Sequence, residues 1–381
     1  MKHKPLRVLD LRDSPWVDGP GRTILQTASM IDSARCEIIV GAFYGDTHGE
    51  HAYISEAKKR GLTILPILES SAFDRNISRQ IIEAIRIHSI DILHTHDFRS
   101  DLFGLWCAKR TGIPVISTCH GWIANNTKGK IYTHIDKLAL RYFNRIITVS
   151  EYMRKQLIES GVKGGKIKVV PNALVTEDYH VDRLDQKFRD ELCIDSGSLL
   201  IGNIGRLSKE KGQDIFMYAA QELLKKYDNL HFVLIGIGPQ EENLRTQVNE
   251  LGMQDKISFC GYRSDMLSIY NSLDIVVQSS YTEGMPNVIL ESLLMGVPVV
   301  ATDVGGTGEI VDHMKSGVLI KSADLEELVW GIEDFINNPA KHKIMAVAGQ
   351  AYVKNNFNHI ARVSHITEIY EDLIVNTERK H

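Results

Sequence analysis

The chain has 381 residues, 43% of them hydrophobic and 24% charged, with a formal net charge of −4. That balance fits a soluble globular enzyme of two ordinary domains and gives no reason to expect a nucleic-acid partner. No apolar run approaches the roughly 20 residues that span a bilayer, and the five scattered cysteines contain no C-x2-C pair, so reduced thiols are expected.

The N-terminal MKHKPLRVLDL is basic and then apolar. Its apolar part is too short for a signal peptide and reads as the first strand, which predicts a cytoplasmic protein. The first 172 residues are net basic and the remainder net acidic. Such asymmetry either hints at partners or is ordinary scatter between domains.

In chain order, Leu6 to Leu11 is a short apolar strand. It is followed by a Gly-rich loop, Asp18-Gly19-Pro20-Gly21-Arg22, and a helical pattern from Thr23 to Ile31. A glycine loop between strand and helix can approach a phosphate closely, or simply turn the chain. Strands are expected at Glu37–Val40, Thr63–Ile67, Asp91–His96, Pro114–His120, Arg145–Ser150 and Lys168–Pro171. Helices between most of them make the half a doubly wound α/β domain.

His94 and His96 are two apart and share a strand face, as a metal pair or as residues lining a cleft; no third ligand at convincing spacing is visible. His120 closes its strand at the carboxyl end, where α/β sheets bind ligands. Residues 128–145 form a basic amphipathic helix that either lies on an anionic membrane surface or packs its apolar stripe on the core. Ser150 is a good N-cap for the helix that follows.

Residues 173–198 are polar and weakly periodic and read as the linker, which predicts domains over 1–176 and 177–357 and a terminal helix in 358–381. A new sheet opens at Leu199–Gly205, and a loop with Arg206 and Lys211 precedes a helix from Gln213. A guanidinium and an ammonium there suit a diphosphate. Further strands are expected at His231–Gly238, Ile257–Tyr262, Asp274–Ser280 and Val297–Asp303. After Gly236 and Gly238 a dinucleotide fingerprint would need a third glycine where Glu241 stands, which weakens a hydride-transfer reading. The stretch EGMPNVILES places Glu283 at a strand end and Glu291 on the following helix; two carboxylates around a helix N-terminus suit a sugar joined to a phosphate.

Glu-x7-Glu in that context, followed by GVPVVATDVGGTGE and preceded by GRLSKEKG, resembles the retaining nucleotide-sugar glycosyltransferases of family 4, across nearly the whole chain. The resemblance implies the GT-B fold: two Rossmann-like doubly wound domains facing each other across a cleft, with the terminal helix crossing back to the first. It implies a nucleotide-sugar donor (UDP by default), a glycan or lipid-linked acceptor, no cofactor and no metal ion. His120, Arg206, Lys211 and Glu283 would be catalytic. Gly21, Tyr262, Arg263, Gly284, Met285, Pro286, Asn287 and Glu291 would join Arg206, Lys211 and Glu283 in holding the donor. Relatives usually carry two adjacent glycines where this chain has Gly-Pro-Gly, and Pro20 removes one N–H there. Lipid-linked acceptors in such families keep open a peripheral contact of residues 128–145 with the inner face of the membrane, beside the reading in which the helix packs on its own core. A silent sugar-nucleotide-binding subunit or an epimerase of the same fold is the alternative.

Overall fold

The computed structural model describes residues 4–45, 51–122, 127–180 and 186–378, in two compact units, residues 1–173 with 359–381 and residues 174–358. The first unit runs β1 (Leu6–Arg12), α1 (Gly19–Met30), β2 (Cys36–Tyr44), α2 (Ala52–Lys59), β3 (Ile64–Leu68), α3 (Arg75–Ile87), β4 (Ile92–Thr95) and α4 (Phe98–Thr111). It continues through β5 (Val115–Cys119), α5 (Thr127–Leu140), β6 (Arg145–Thr148), α6 (Glu151–Glu159) and β7 (Ile167–Val169).

All seven strands are parallel, in the order β3-β2-β1-β4-β5-β6-β7. The middle strands are buried almost end to end, polar residues included, because helices cover both sheet faces. In β4 and β5 every residue is buried. Ser150 caps α6 by accepting from the Met153 amide at 3.3 Å.

The second unit holds α7 (Lys187–Glu191), β8 (Leu199–Ile204), α8 (Gln213–Leu224), β9 (Leu230–Ile235), α9 (Glu241–Glu250), β10 (Ile257–Phe259), α10 (Met266–Ser272) and β11 (Ile275–Gln278). It ends with α11 (Asn287–Leu294), β12 (Val299–Thr302), α12 (Thr307–Ile310), β13 (Val318–Ile320), α13 (Leu325–Asn337) and α14 (Pro339–Asn356). Its parallel sheet runs β10-β9-β8-β11-β12-β13. Counted within the unit this is 3-2-1-4-5-6, the doubly wound order, and the first unit has the same order with a seventh strand added.

The last helix, α15 (His359–Glu378), belongs to the first unit, where Ile366, Ile369, Tyr370 and Leu373 join the core formed by Val8, Leu25, Ile38 and Ile92. Arg35 clamps it from outside through a two-pronged pair with Glu371, at 2.9 and 2.6 Å.

Two local readings change. The polar stretch expected as a linker carries α7, docked on the second unit by buried Phe188 and by Arg189, which donates to Asp274 at 2.5 Å and to the Ser272 and Ser198 carbonyls. Gly19-Pro20-Gly21 is the first turn of α1 rather than a loop: the Asp18 carboxylate caps the helix by accepting from the Gly21 amide at 2.9 Å, and a proline in a first turn has no hydrogen bond to lose. Strand β13 is only three residues long, too short for its alternation to register in the sequence. Among the described residues no helix is long and apolar enough to cross a membrane.

Candidate active site

In an open α/β sheet the crevice lies outside the carboxyl strand ends where the winding reverses. In the second unit this falls between β8 and β11. The loops leaving these two strands, 205–212 and 279–286, are drawn together by close backbone packing. Gly212 has φ +61°, and a Cβ there would lie 2.1 Å from the Ser279 carbonyl oxygen. Gly305, with φ +59°, brings the loop after β12 equally close to the Glu283 carbonyl, and the Gly306 amide donates to the Gly284 carbonyl at 2.8 Å. Only glycine fits either position without strain.

The packing sets a cation against a carboxylate. Lys211 Nζ donates to Glu283 Oε1 at 2.6 Å. The same oxygen accepts from Ser280 Oγ at 2.7 Å and from Gln278 Nε2 at 3.1 Å, so its orientation is fixed from three sides. Glu291, on α11, is buried and accepts from the Tyr270 hydroxyl at 2.7 Å. The Arg206 side chain is exposed, while its carbonyl is held by Gln213 Nε2 at 3.0 Å.

The first unit has its own polar cluster at the matching reversal, between β1 and β4. Asp10 and Arg12 come from β1, His94 and His96 from β4 and the residue after it, and His120 from just beyond β5. His96 Nε2 lies 3.0 Å from Asp10 Oδ2, and His96 Nδ1 lies 3.1 Å from His120 Nε2. His94 sits between the Tyr370 hydroxyl and the Thr118 hydroxyl, each at 2.7 Å. Arg362 of α15 donates to Thr27 at 2.9 Å and to the Pro171 carbonyl at 3.2 Å.

Burial dominates the titration here. It pushes the Asp10 carboxyl up to about 6 against the opposing pull of His94, Arg12 and Arg362. It holds His94 down to about 3 and keeps His96 and His120 well below the ordinary histidine range, helped by the Arg12 and Arg362 cations. By distance alone Asp10, His94 and His96 could share a metal ion. Both nitrogens of His94 face hydroxyl partners, and two guanidinium groups repel His96, so the set suits a hydrogen-bond network better than a cation.

Two family descriptions match the sequence: "Glycosyl transferases group 1" over residues 185–352 and "Glycosyltransferase Family 4" over residues 17–178. The chain belongs to the family 4 type of glycosyltransferases. An Escherichia coli relative, the UDP-Gal:alpha-D-GlcNAc-diphosphoundecaprenol alpha-1,3-galactosyltransferase, is 27% identical over 75% of this chain and 76% of that protein. The Streptococcus pneumoniae alpha-monoglucosyldiacylglycerol synthase is 26% identical over 77% of this chain and 69% of its own length. Anabaena HepE, solved with UDP-glucose, superposes with a TM-score of 0.86 at 21% identity, covering 96% of this chain and all (100%) of that one, a likeness in fold that identifies it as GT-B.

The glycosyltransferase positions its expected donor residues unequally. Gly284, Met285 and Pro286 are buried at the foot of α11, and Asn287 opens that helix with a buried Oδ1 that has no hydrogen-bond partner among the described residues. Tyr262 is 67% exposed after β10. Arg263 beside it is committed elsewhere: it donates to both carboxylate oxygens of Glu191, at 2.5 and 2.8 Å, and to Asp265 at 2.8 and 2.6 Å. Those carboxylates raise its already high pKa, and its side chain holds α7 to this loop.

Gly21 donates its amide to Asp18, so its smallness serves a different end: a Cβ there would meet Arg12 Nη1 at 3.2 Å and Asp18 Oδ1 at 3.3 Å, crowding their 2.5 Å ion pair. In α5, Asp136, Ala139 and Leu140 are buried, while Ile131, Ile135 and Leu138 stay exposed beside Lys128, Lys130 and Lys137. No motif in the sequence singles out Asp10, Arg12 or Arg362, and Tyr370 stands out there only as an apolar position of the terminal helix. The signal for the first two was charge within a strand, LRVLDLR, that also holds Arg7; only the fold shows that Asp10 and Arg12 are the buried pair.

Proposed function

We propose that this glycosyltransferase moves a sugar from a nucleoside-diphosphate sugar, a UDP-sugar before others, to a hydroxyl of a glycan or lipid-linked acceptor, with retention at the anomeric carbon. The observation that carries this reading is Lys211 held 2.6 Å from Glu283 at the carboxyl ends of β8 and β11. In this reading Arg206 and Lys211 neutralise the diphosphate, and their charge grows in value as negative charge develops on the departing nucleotide. Glu283 accepts from hydroxyls of the transferred sugar and Glu291 from those of the ribose. Tyr262, with the backbone of Arg263, lies by the base, and the backbone of Gly284 to Asn287 contacts sugar and phosphate. His120 addresses the transferred sugar. Gly21 contributes only if Asp18 releases its amide.

The leaving phosphate oxygen takes the proton of the acceptor hydroxyl as the new glycosidic bond forms on the same face. Because two protein cations cover the diphosphate, no metal ion is required in this scheme. The names of the relatives support the substrate classes: one uses UDP-galactose and a diphospholipid acceptor, and another makes a glycolipid. Exposed Ile131, Ile135 and Leu138 beside three lysines support a peripheral contact of α5 with an anionic membrane face.

The experiment is a binding and transfer panel with UDP, GDP, ADP and their common sugars, run with and without EDTA, using diphospholipid-linked sugars as acceptors. Binding of one UDP-sugar and transfer that survives EDTA support the reading. Binding of none of the nucleotides, or transfer restored only by a divalent ion, overturns it in whole or in its metal-free part.

A further inference from the structure

A neutral imidazole has one N–H and one lone pair, so a chain of histidines anchored on a carboxylate has its proton positions dictated from the anchored end. The first unit contains such a chain. Asp10, ionised, can only accept, and it faces His96 Nε2 at 3.0 Å. His96 therefore carries its proton on Nε2 and turns a lone pair, on Nδ1, toward His120 Nε2 at 3.1 Å. His120 in turn carries its proton on Nε2, and its Nδ1 is left with a lone pair. That Nδ1 is buried and has no hydrogen-bond partner among the described residues. The ring planes of His96 and His120 lie 26° apart with centroids at 5.4 Å, so neither ring can turn without breaking the chain. Both rings stay neutral because burial and the nearby guanidinium groups disfavour a second proton.

We infer that Asp10 and His96 are positioning residues that fix His120 as the Nε2–H tautomer, so that its Nδ1 accepts a hydrogen bond from a hydroxyl of the transferred sugar. The inference rests on the proposed role of His120. An Nδ1–H ring in the same place would present a donor to a hydroxyl hydrogen and could not hold the sugar in the same orientation. The alternative partner of the pair, His94, is not part of the relay: its nitrogens are occupied by Tyr370 and Thr118.

The test uses the full chain labelled with 15N-histidine, its His96 and His120 signals identified by single His→Gln variants, and long-range proton–nitrogen correlation to report which nitrogen bears hydrogen. Without any donor, wild type should show Nε2 protonated and Nδ1 bare in both rings. Asp10→Asn, whose amide can donate to His96 as well as accept, should move a measurable fraction of His120 to the Nδ1–H form. It should also lower kcat by about tenfold while donor KM stays within about twofold, the pattern of a lost orientation rather than lost binding. A wild-type His120 with hydrogen on Nδ1 overturns the relay without any variant having to fold. An Asp10→Asn enzyme with shifted tautomers and an unchanged kcat overturns the hydroxyl-accepting role while leaving the transferase reading intact. That reading fails separately if no nucleotide sugar binds.

Discussion

Lys211 and Glu283, separated by 72 positions in the chain, meet at 2.6 Å, and the same Glu283 oxygen is also held by Ser280 and Gln278. The carboxylate is therefore oriented before any ligand arrives. Lys211 is the more exposed member of the pair, with 28% of its side chain exposed against 9% for Glu283. Lys211→Ala is expected to lower kcat by about 100-fold or more, the scale of losing one preorganised charge contact to a developing anion. Steady-state transfer kinetics beside an unfolding curve check this; a near-wild-type rate would remove Lys211 from the diphosphate role.

Arg189 is buried with its guanidinium donating to Asp274 and to the Ser272 and Ser198 carbonyls. Arg189→Ala leaves those acceptors without that cation and is expected to destabilise the second unit by about 3 kcal/mol. Urea unfolding of the variant reads the loss. Arg189→Lys should restore only part of it, because an ammonium cannot reproduce the fork.

Asp10 gives a pH signature. It is faced by Arg12 on its own strand, by His94 and His96 beside it, by Tyr53 from α2, and by Arg362 and Tyr370 from α15. Its folded pKa, about 6, stands above the ordinary carboxyl value of 3.8. The folded state thus binds this proton more tightly than the unfolded chain. Stability from this group is full below the unfolded value and is lost as pH rises through about 6. Asn does not titrate, so the stability of Asp10→Asn relative to wild type should improve by about 1 kcal/mol between about pH 5 and pH 8. Parallel denaturation curves at the two pH values measure it; an opposite trend would mean that Asp10 is stabilised in its charged form.

The exposed face of α5 makes a membrane prediction. Lys128 lies over the Tyr132 ring at 5.4 Å and Lys109 over the Tyr142 ring at 4.7 Å, which keeps cations and apolar surface side by side. Lys130→Glu should weaken retention on vesicles containing about a third anionic lipid by roughly fivefold, since one basic residue near such a surface contributes about 1 kcal/mol. Ile135→Asp should weaken it on anionic vesicles through lost insertion. Flotation with neutral vesicles as the reference separates the charge contribution, and equal retention of all three proteins would reject the contact.

The alternation of strands and helices was legible because parallel sheets buried on both faces leave largely apolar runs, as at Ile275–Gln278 and Val299–Thr302. In the second unit the Lys211–Glu283 pair falls in the two short stretches, GRLSKEKG and EGMPNVILES, that carry the family resemblance, while Arg206 stays exposed and Glu291 pairs with Tyr270. The first unit's cluster was not legible: His94 and Tyr370 are 276 positions apart, and only the fold brings them to 2.7 Å. Gly21 was misplaced because the cap that starts α1 one turn early depends on Asp18, whose carboxylate must also pair with a buried arginine before its role is apparent. For α5 the periodicity gave the stripe but not its surroundings, and which face meets protein was decided by the buried Asp136 and Leu140.

Helix α15 follows the whole second unit along the chain, yet it closes a unit whose seven strands emerge first. On a ribosome adding about 5–20 residues per second, residues 174–358 take roughly 10–40 seconds to appear. During that interval the nascent first unit has neither Tyr370 for His94 nor Arg362 for Thr27, and the groove that receives Ile366 and Leu373 lies open. The sheet that forms earliest must therefore persist with part of this apolar face covered by α1 and α2 and the rest open, and its maturation is timed by the synthesis of the unit that follows it.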